Sequence, residues 1–198
     1  MKEILINSLI LTLVFILIVP AIGFVINLVA TVLFKALFAL VDSTGTAFAF
    51  FHNRLTFIGV MIHELSHALF AFVTGARITD FKLYHKEENR LGYVNIVPQG
   101  NWAIRSIQMA LTACGPVIIG LIIEGVIIYV IGLGTLPWWG VALLIILLFI
   151  PVLFHMDMSG EDLKGYLRGV PFFFILFFVI SFVMVKFGVI SQDFLVMK

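Results

Sequence analysis

Apolar runs long enough to cross a bilayer recur along the chain, and short polar segments separate them. A transmembrane helix needs about 20 apolar residues, because the hydrocarbon core is about 30 Å thick. The pattern therefore predicts a helical protein that crosses the membrane several times. The predicted runs cover residues 4–41, 55–74, 104–131, 138–154 and 169–187.

The first run is too long for one perpendicular crossing. As a single helix, residues 4–41 would extend about 57 Å, about twice the hydrocarbon core. Proline removes a helix hydrogen bond and glycine loosens the turn, so we expect a break or bend at Pro20 and Gly23. We expect residues 21–41 to cross the membrane. Whether residues 4–19 form a separate transmembrane helix is left open, so the expected number of transmembrane helices is five or six. The basic start resembles a signal sequence, but no A-x-A cleavage pattern follows, so we expect it to be retained.

Residues 76–102 are the one sizeable polar stretch, and their pattern differs from that of the apolar runs. Phe81 and Leu83 alternate with polar residues, and Val94 and Ile96 alternate with Tyr93 and Asn95, as in half-buried strands. The sequence KEEN at 86–89 connects the two alternating segments. We predict a β-hairpin, either an ordinary surface hairpin or one with a function.

Composition supports an integral membrane protein with one domain, residues 1–198. Hydrophobic residues make up 62% of the chain and charged residues only 12%, beyond what a soluble domain needs. A net charge of +1, without basic clusters among stacking aromatics, gives no basis for nucleic-acid binding. The single cysteine, Cys114, excludes an intrachain disulfide and a multi-cysteine zinc cluster. A metal ion would therefore need histidine and carboxylate ligands.

Positive charge in the loops predicts the orientation, since short loops rich in Lys and Arg stay in the cytoplasm. Basic residues near the predicted hairpin are Arg77, Lys82, Lys86, Arg90 and Arg105. Two spans later, Lys164 and Arg168 return to the same side. We expect a cell-membrane protein with the hairpin and residues 155–168 facing the cytoplasm, and with residues 42–54 and the C-terminus outside.

The sequence HELSH at 63–67 places ionisable groups inside an apolar run. His63 and His67 lie one helical turn apart, so their Cβ atoms are about 5–6 Å apart on one face, which suits two ligands of one zinc ion. Glu64 points elsewhere on the helix but can reach a water at the metal and accept its proton. Ionisable groups cost several kcal/mol in hydrocarbon without a compensating partner, and a metal ion would be that partner. The alternative is a chance match, in which the three side chains hydrogen-bond within a helix interface.

A catalytic zinc ion usually has three protein ligands, so a third must come from elsewhere. The polar segment at 155–168 offers His155, Asp157, Glu161 and Asp162. Asp162 is the first choice and Asp157 the second. Asp162 also fits a capping box that begins at Ser159, which leaves a purely structural role open.

The chain resembles the site-2 protease family of intramembrane zinc metalloproteases, to which His63, Glu64 and His67 supply the complete HExxH motif. The family's second motif, Asn-x-x-Pro-x-x-x-Leu-Asp-Gly, is matched at Asp162 only: His155 lies near the asparagine position, Met158 near the proline position, and Leu163 replaces the glycine. A Gly-Pro element followed by asparagine is matched at residues 115–116, whereas position 119 is isoleucine. The chain is thus similar to a divergent member of that family.

The resemblance implies an enzyme that hydrolyses peptide bonds in or near transmembrane segments of membrane proteins. It implies one zinc ion (Zn2+) held by His63, His67 and Asp162, with Glu64 as catalytic base. An extended substrate could pair with the free edge of the second strand, at Val94 and Asn95.

Two other functions remain open from the residues alone. One is a membrane metal-binding or transport protein, with Glu124 as a further group on the ion path; the other is a protease-like scaffold that binds membrane partners without cutting them. The absence of paired sequence repeats favours the enzyme over the transporter. The fold class predicted is an α-helical polytopic membrane protein with a small cytoplasmic β-hairpin between the HExxH helix and the next span. The oligomeric state is left open.

Overall fold

The structure is a computed structural model that describes residues 1–83 and 92–190. In chain order its elements are α1 (Lys2–Ala39), α2 (Thr46–Phe50), a π-helical turn (Phe51–Leu55), α3 (Phe57–Thr74), β1 (Arg77–Lys82), β2 (Tyr93–Val97), α4 (Trp102–Gly132), α5 (Trp138–Leu144), a second π-helical turn (Ile145–Phe149), α6 (Ile150–His155) and α7 (Gly160–Lys186). The predicted KEEN connection and Arg90 lie outside the described residues.

Five helices of the described part are long and apolar enough to cross a membrane. These are Lys2–Ala39, Phe57–Thr74, Trp102–Gly132, Trp138–His155 and Gly160–Lys186. This agrees with the predicted helical architecture with several transmembrane segments, and the number of candidate transmembrane helices in the described residues is five rather than six.

Helix α1 continues through Pro20, so of the predicted break or bend the break is wrong, while the bend stays a prediction. Proline has no N–H, and the carbonyl four residues earlier, on Ile16, therefore loses its helical donor. The hydroxyl of Tyr166 in α7 donates to this carbonyl oxygen at 2.5 Å. Gly23 serves close packing rather than a hinge, since an added Cβ would lie 2.8 Å from Cγ2 of Val117 in α4.

Helix α3, which carries the HELSH sequence, packs antiparallel against α4. A Cβ added at Gly115 would lie 2.9 Å from the carbonyl oxygen of Ser66, so glycine allows the two backbones to approach. At the other end of the contact, Nε2 of Gln108 donates to the carbonyl oxygen of Thr74 at 3.0 Å. The polar face of α3 is thereby buried against α4.

Residues 156–159 interrupt the helix between α6 and α7 without reversing the chain. A Cβ added at Gly120 would lie 2.6 Å from Met156, whereas one at Gly169 would lie 2.5 Å from the carbonyl oxygen of Ser106. Contacts thus move towards the start of α4 as the chain passes through the interruption. The reversal predicted at this segment, on which the placement of the C-terminus outside depended, is wrong.

Side chains satisfy the backbone at both ends of this interruption, as apolar surroundings require. Nδ2 of Asn27 in α1 donates to the carbonyl oxygen of Phe154 at 2.7 Å. At the start of α7, Ser159 and Asp162 form a capping box. A stable helix break therefore holds the predicted third-ligand segment in place.

The predicted hairpin is confirmed as a two-stranded antiparallel sheet. Its register runs from Arg77 opposite Val97 to Lys82 opposite Tyr93, with a bulge between Ile78 and Asp80. The hydroxyl of Tyr93 donates to Oδ2 of Asp80 at 2.7 Å. This hydrogen bond lowers the pKa of Asp80 below its ordinary value and raises that of Tyr93 above its own.

Candidate metal centre

Three side chains from two helices meet at one point of the interior. His63 and His67 of α3 bring their Nε2 atoms to 3.1 Å from each other. Asp162, in the first turn of α7, places Oδ1 3.1 Å from Nε2 of His67 and Oδ2 3.5 Å from Nε2 of His63. Within the described residues, these three form the cluster that could hold a metal ion.

The cluster fits a tetrahedral zinc site in spacing and in donor type. Bonds of about 2.0–2.1 Å to nitrogen and oxygen place tetrahedral ligands about 3.3 Å from each other. The two Nε2 atoms lie 3.1 Å apart, and Asp162 approaches His67 with Oδ1 at 3.1 Å and His63 with Oδ2 at 3.5 Å. With one ligand atom taken from each residue, the three atoms lie within 4.8 Å of one another. Two imidazoles and one carboxylate also leave a fourth position for water or substrate, as catalytic zinc sites do.

Backbone carbonyls orient both imidazole rings. Nδ1 of His63 donates to the carbonyl oxygen of His155 at 2.6 Å, and Nδ1 of His67 donates to that of Thr112 at 2.7 Å. A carbonyl oxygen only accepts, so Nδ1 carries the proton in each ring. In the neutral rings Nε2 then directs its lone pair at the cluster, which is the arrangement of metal-bound histidines.

The position of Asp162 is compatible with both of the roles that the sequence left as alternatives, capping and metal binding. Its Oδ2 accepts from the backbone N–H of Ser159 at 2.8 Å, and its own N–H donates to Oγ of Ser159 at 3.2 Å. The same carboxylate faces both histidines. The capping box therefore fixes the carboxylate in a position where it can also bind metal.

The other third-ligand candidates are not part of the cluster. Asp157 lines the same cavity, where burial raises the pKa of its carboxyl group above the ordinary value. His155 contributes its backbone carbonyl to His63. Glu161 is exposed and pairs with Nζ of Lys164 at 2.7 Å.

Glu64 lies in a buried position beside the cluster and lines a cavity of about 740 Å³. A Cβ added at Gly92, just before β2, would lie 2.7 Å from Cγ of Glu64. The hairpin therefore closes directly over the catalytic-base candidate. The predicted catalytic, metal-binding and substrate-binding residues all line this one cavity: His63, Glu64, His67, Asp162, Val94 and Asn95.

The outer edge of β2 is formed by different backbone groups from those expected. Oγ1 of Thr79 donates to the carbonyl oxygen of Asn95 at 3.2 Å, so the backbone of Asn95 faces β1. Backbone groups alternate sides along an antiparallel strand, which places those of Val94 and Ile96 on the opposite edge. Ile96, which the sequence reasoning missed, lines the cavity with Val94. The outer edge therefore carries the backbone groups of Val94 and Ile96 rather than those of Asn95, and its role in substrate binding stays a prediction.

Two further contributors were missed because they act through their backbone. Thr112 and His155 supply the carbonyls that orient the histidines. A search for chemically reactive side chains does not reveal a main-chain acceptor, so spacing alone gave no sign of the carbonyl on His155.

Glu124 is not brought to the site. It is buried within α4, but it does not line the cavity that contains the cluster. Its carboxylate oxygens have no hydrogen-bond partner in the described part of the chain. The ion path suggested for a transport protein therefore gains no support from its position.

Comparisons with known proteins assign no family to the chain. No family model, curated protein or solved structure matches the chain. The geometry provides a partly buried His–His–Asp cluster with a second carboxylate beside it and an open cavity bounded by a strand edge.

Proposed function

We propose that the protein is an intramembrane zinc metalloprotease, similar to site-2 proteases, that hydrolyses peptide bonds in or near the transmembrane segments of other membrane proteins. The observation that carries the proposal is the spacing of the donor atoms of His63, His67 and Asp162, with both rings oriented for metal binding. Glu64 beside this cluster, within one cavity, adds the group that hydrolysis requires.

Each residue has a defined part in this chemistry. His63, His67 and Asp162 hold the zinc ion, which when bound supplies Lewis-acid activation of water and of the scissile carbonyl. The carboxylate of Glu64 accepts the proton of the attacking water and passes it to the nitrogen of the leaving amine. The cavity admits water to a part of the protein that apolar helices otherwise surround.

The outer edge of β2 is the proposed substrate-binding element. A transmembrane helix must unwind before its peptide bonds are accessible, and an extended peptide can then add to a strand edge through main-chain hydrogen bonds. Val94 and Ile96 offer backbone groups at two-residue spacing, as such a peptide requires. The substrate class is accordingly a membrane protein or peptide with a local extended stretch, approached from the lipid bilayer on the proposed cytoplasmic side.

The direct test uses purified protein and a panel of single-span membrane proteins. We expect one zinc ion per chain and cleavage in or near the spanning segment of at least one panel member. A chelator should stop cleavage, and added zinc should restore it. Zinc-loaded protein that binds panel members without cutting any of them would favour the scaffold alternative, and zinc release into vesicles would favour transport.

The strand-edge role predicts a selective effect of proline. Val94→Pro and Ile96→Pro each remove an N–H from the outer edge, so we expect cleavage to fall by about tenfold or more while zinc content stays at one ion per chain. Initial cleavage rates and metal analysis on the same preparations measure this. The control Ile96→Val keeps the N–H and should cleave normally. Proline variants that cleave at the wild-type rate would exclude edge pairing.

A further inference from the structure

Pro116, in the interior of α4, has no N–H to donate to the carbonyl of Thr112 four residues earlier. That carbonyl is the one that accepts the hydrogen bond from Nδ1 of His67, at 2.7 Å. In an uninterrupted helix, the N–H of residue 116 would occupy this acceptor. The proline therefore leaves a backbone oxygen available at the point where His67 needs a partner.

The same arrangement recurs elsewhere in the chain. In α1, Pro20 leaves the carbonyl of Ile16 without a helical donor, and Tyr166 of a neighbouring helix donates to it. Gly115, next to Pro116 in α4, lies at a close approach to α3, because a Cβ there would lie 2.9 Å from the carbonyl oxygen of Ser66. Glycine lets α4 approach α3, and the proline next to it provides the free acceptor.

We infer that Pro116 is a positioning residue of the metal centre: it reserves the carbonyl of Thr112 for His67, and so keeps Nε2 of that ring unprotonated and directed at the ion. This inference rests on the metal site of the proposed function, though not on proteolysis. An N–H at position 116 would compete with His67 for the carbonyl. The ring would then lose its fixed tautomer and orientation, and outer-shell partners of this kind are worth about 10–100-fold in metal affinity.

Two substitutions separate this role from general support of the fold. Pro116→Ala and Pro116→Gly both introduce the N–H, and we expect each to weaken zinc binding by about 10–100-fold. Alanine should raise the melting temperature of the metal-free protein, because an interior proline weakens a helix, whereas glycine should gain less or nothing. Zinc affinity would then fall in both variants, whereas the melting temperature would rise more in the alanine variant than in the glycine variant. A purely structural role of Pro116 would not separate zinc affinity from stability in this way.

The measurement is a zinc titration of the full-length protein in detergent against a chromophoric chelator, with melting of the metal-free form. Nitrogen chemical shifts of His67 should show protonation at Nδ1 in the wild type and a mixture of tautomers in the alanine variant. Pro171→Ala is the matched control, since it makes the same change in α7 four residues after the exposed Leu167. Its zinc affinity should equal that of the wild type.

The inference is overturned if both Pro116 variants bind zinc within about twofold of the wild type, or if Pro171→Ala loses as much affinity as they do. A wild-type protein that binds no zinc overturns the proposed function together with this inference. Normal wild-type binding with unaffected Pro116 variants removes the inference alone.

Discussion

Glu64→Gln should abolish peptide-bond hydrolysis while one zinc ion remains bound per chain. Glutamine keeps the size of the side chain but cannot accept the proton of the attacking water, and general acid–base catalysis contributes about 10²–10⁴-fold. The three proposed ligands are unchanged, so metal content should not fall. Cleavage of a single-span substrate and metal analysis on the same preparation measure the two effects.

Glu161→Gln is the matched control for this substitution. Glu161 lines the same cavity but is exposed and paired with Lys164, so the same chemical change should leave cleavage near the wild-type rate. Residual activity of Glu64→Gln close to that of the wild type would remove Glu64 from the mechanism. Loss of zinc in that variant would instead make Glu64 part of the ion's binding site.

Asp162→Ala should lose zinc almost completely, with affinity reduced by more than about 100-fold, because even an outer-shell partner is worth 10–100-fold. The substitution also removes the capping box, so the loss of the cap needs its own control. Ser159→Ala removes the cap hydroxyl alone and should cost about 0.5–2 kcal/mol of stability while zinc stays bound. Chelator competition and thermal unfolding distinguish the two effects.

Asp157→Ala completes this series. Asp157 lines the cavity but is outside the three-residue cluster, so its loss should leave zinc affinity within a few-fold of the wild type. If Asp157→Ala released the ion and Asp162→Ala retained it, the third ligand would be Asp157 and the position of Asp162 would be explained by its cap alone.

The elements that sequence predicted well depend on local periodicity. The spacing of His63 and His67 sets their common face on α3, and alternation over residues 93–97 identifies β2. Apolar length was sufficient to locate the five long helices. In each case the information lies within one segment, so no contact with distant residues was needed.

The predictions that were wrong concern backbone groups whose partners are far away in the chain. Helix α1 continues through Pro20, and the carbonyl of Ile16 that the proline leaves without a helical donor accepts from Tyr166, 150 positions from Ile16 in the chain. The chain does not reverse after α6, and Asn27 of α1 donates to a carbonyl in the last turn of that helix. Local rules for proline and for polar segments assume that water forms the hydrogen bonds of the freed backbone groups. Here side chains of other helices form these hydrogen bonds.

The choice between cap and ligand for Asp162 was undecidable locally for a different reason. A carboxylate has two oxygens with several lone pairs, so it can accept the N–H of Ser159 and still face two imidazoles. Only the approach of α3 to the start of α7 reveals the second role. The sequence presented capping and metal binding as alternatives, whereas the position of this one side chain is compatible with both.

Gly92, just before β2, packs against Glu64, so the residue type at position 92 is constrained by the position of that carboxylate. It is not among the described glycines that have a positive φ, so its backbone conformation does not demand glycine. Its small size matters because any side chain there would collide with Glu64. In a related chain, a residue with a larger side chain at this position would require the carboxylate of Glu64 to be displaced or lost, so this one residue would indicate whether the proposed catalytic base is still in place.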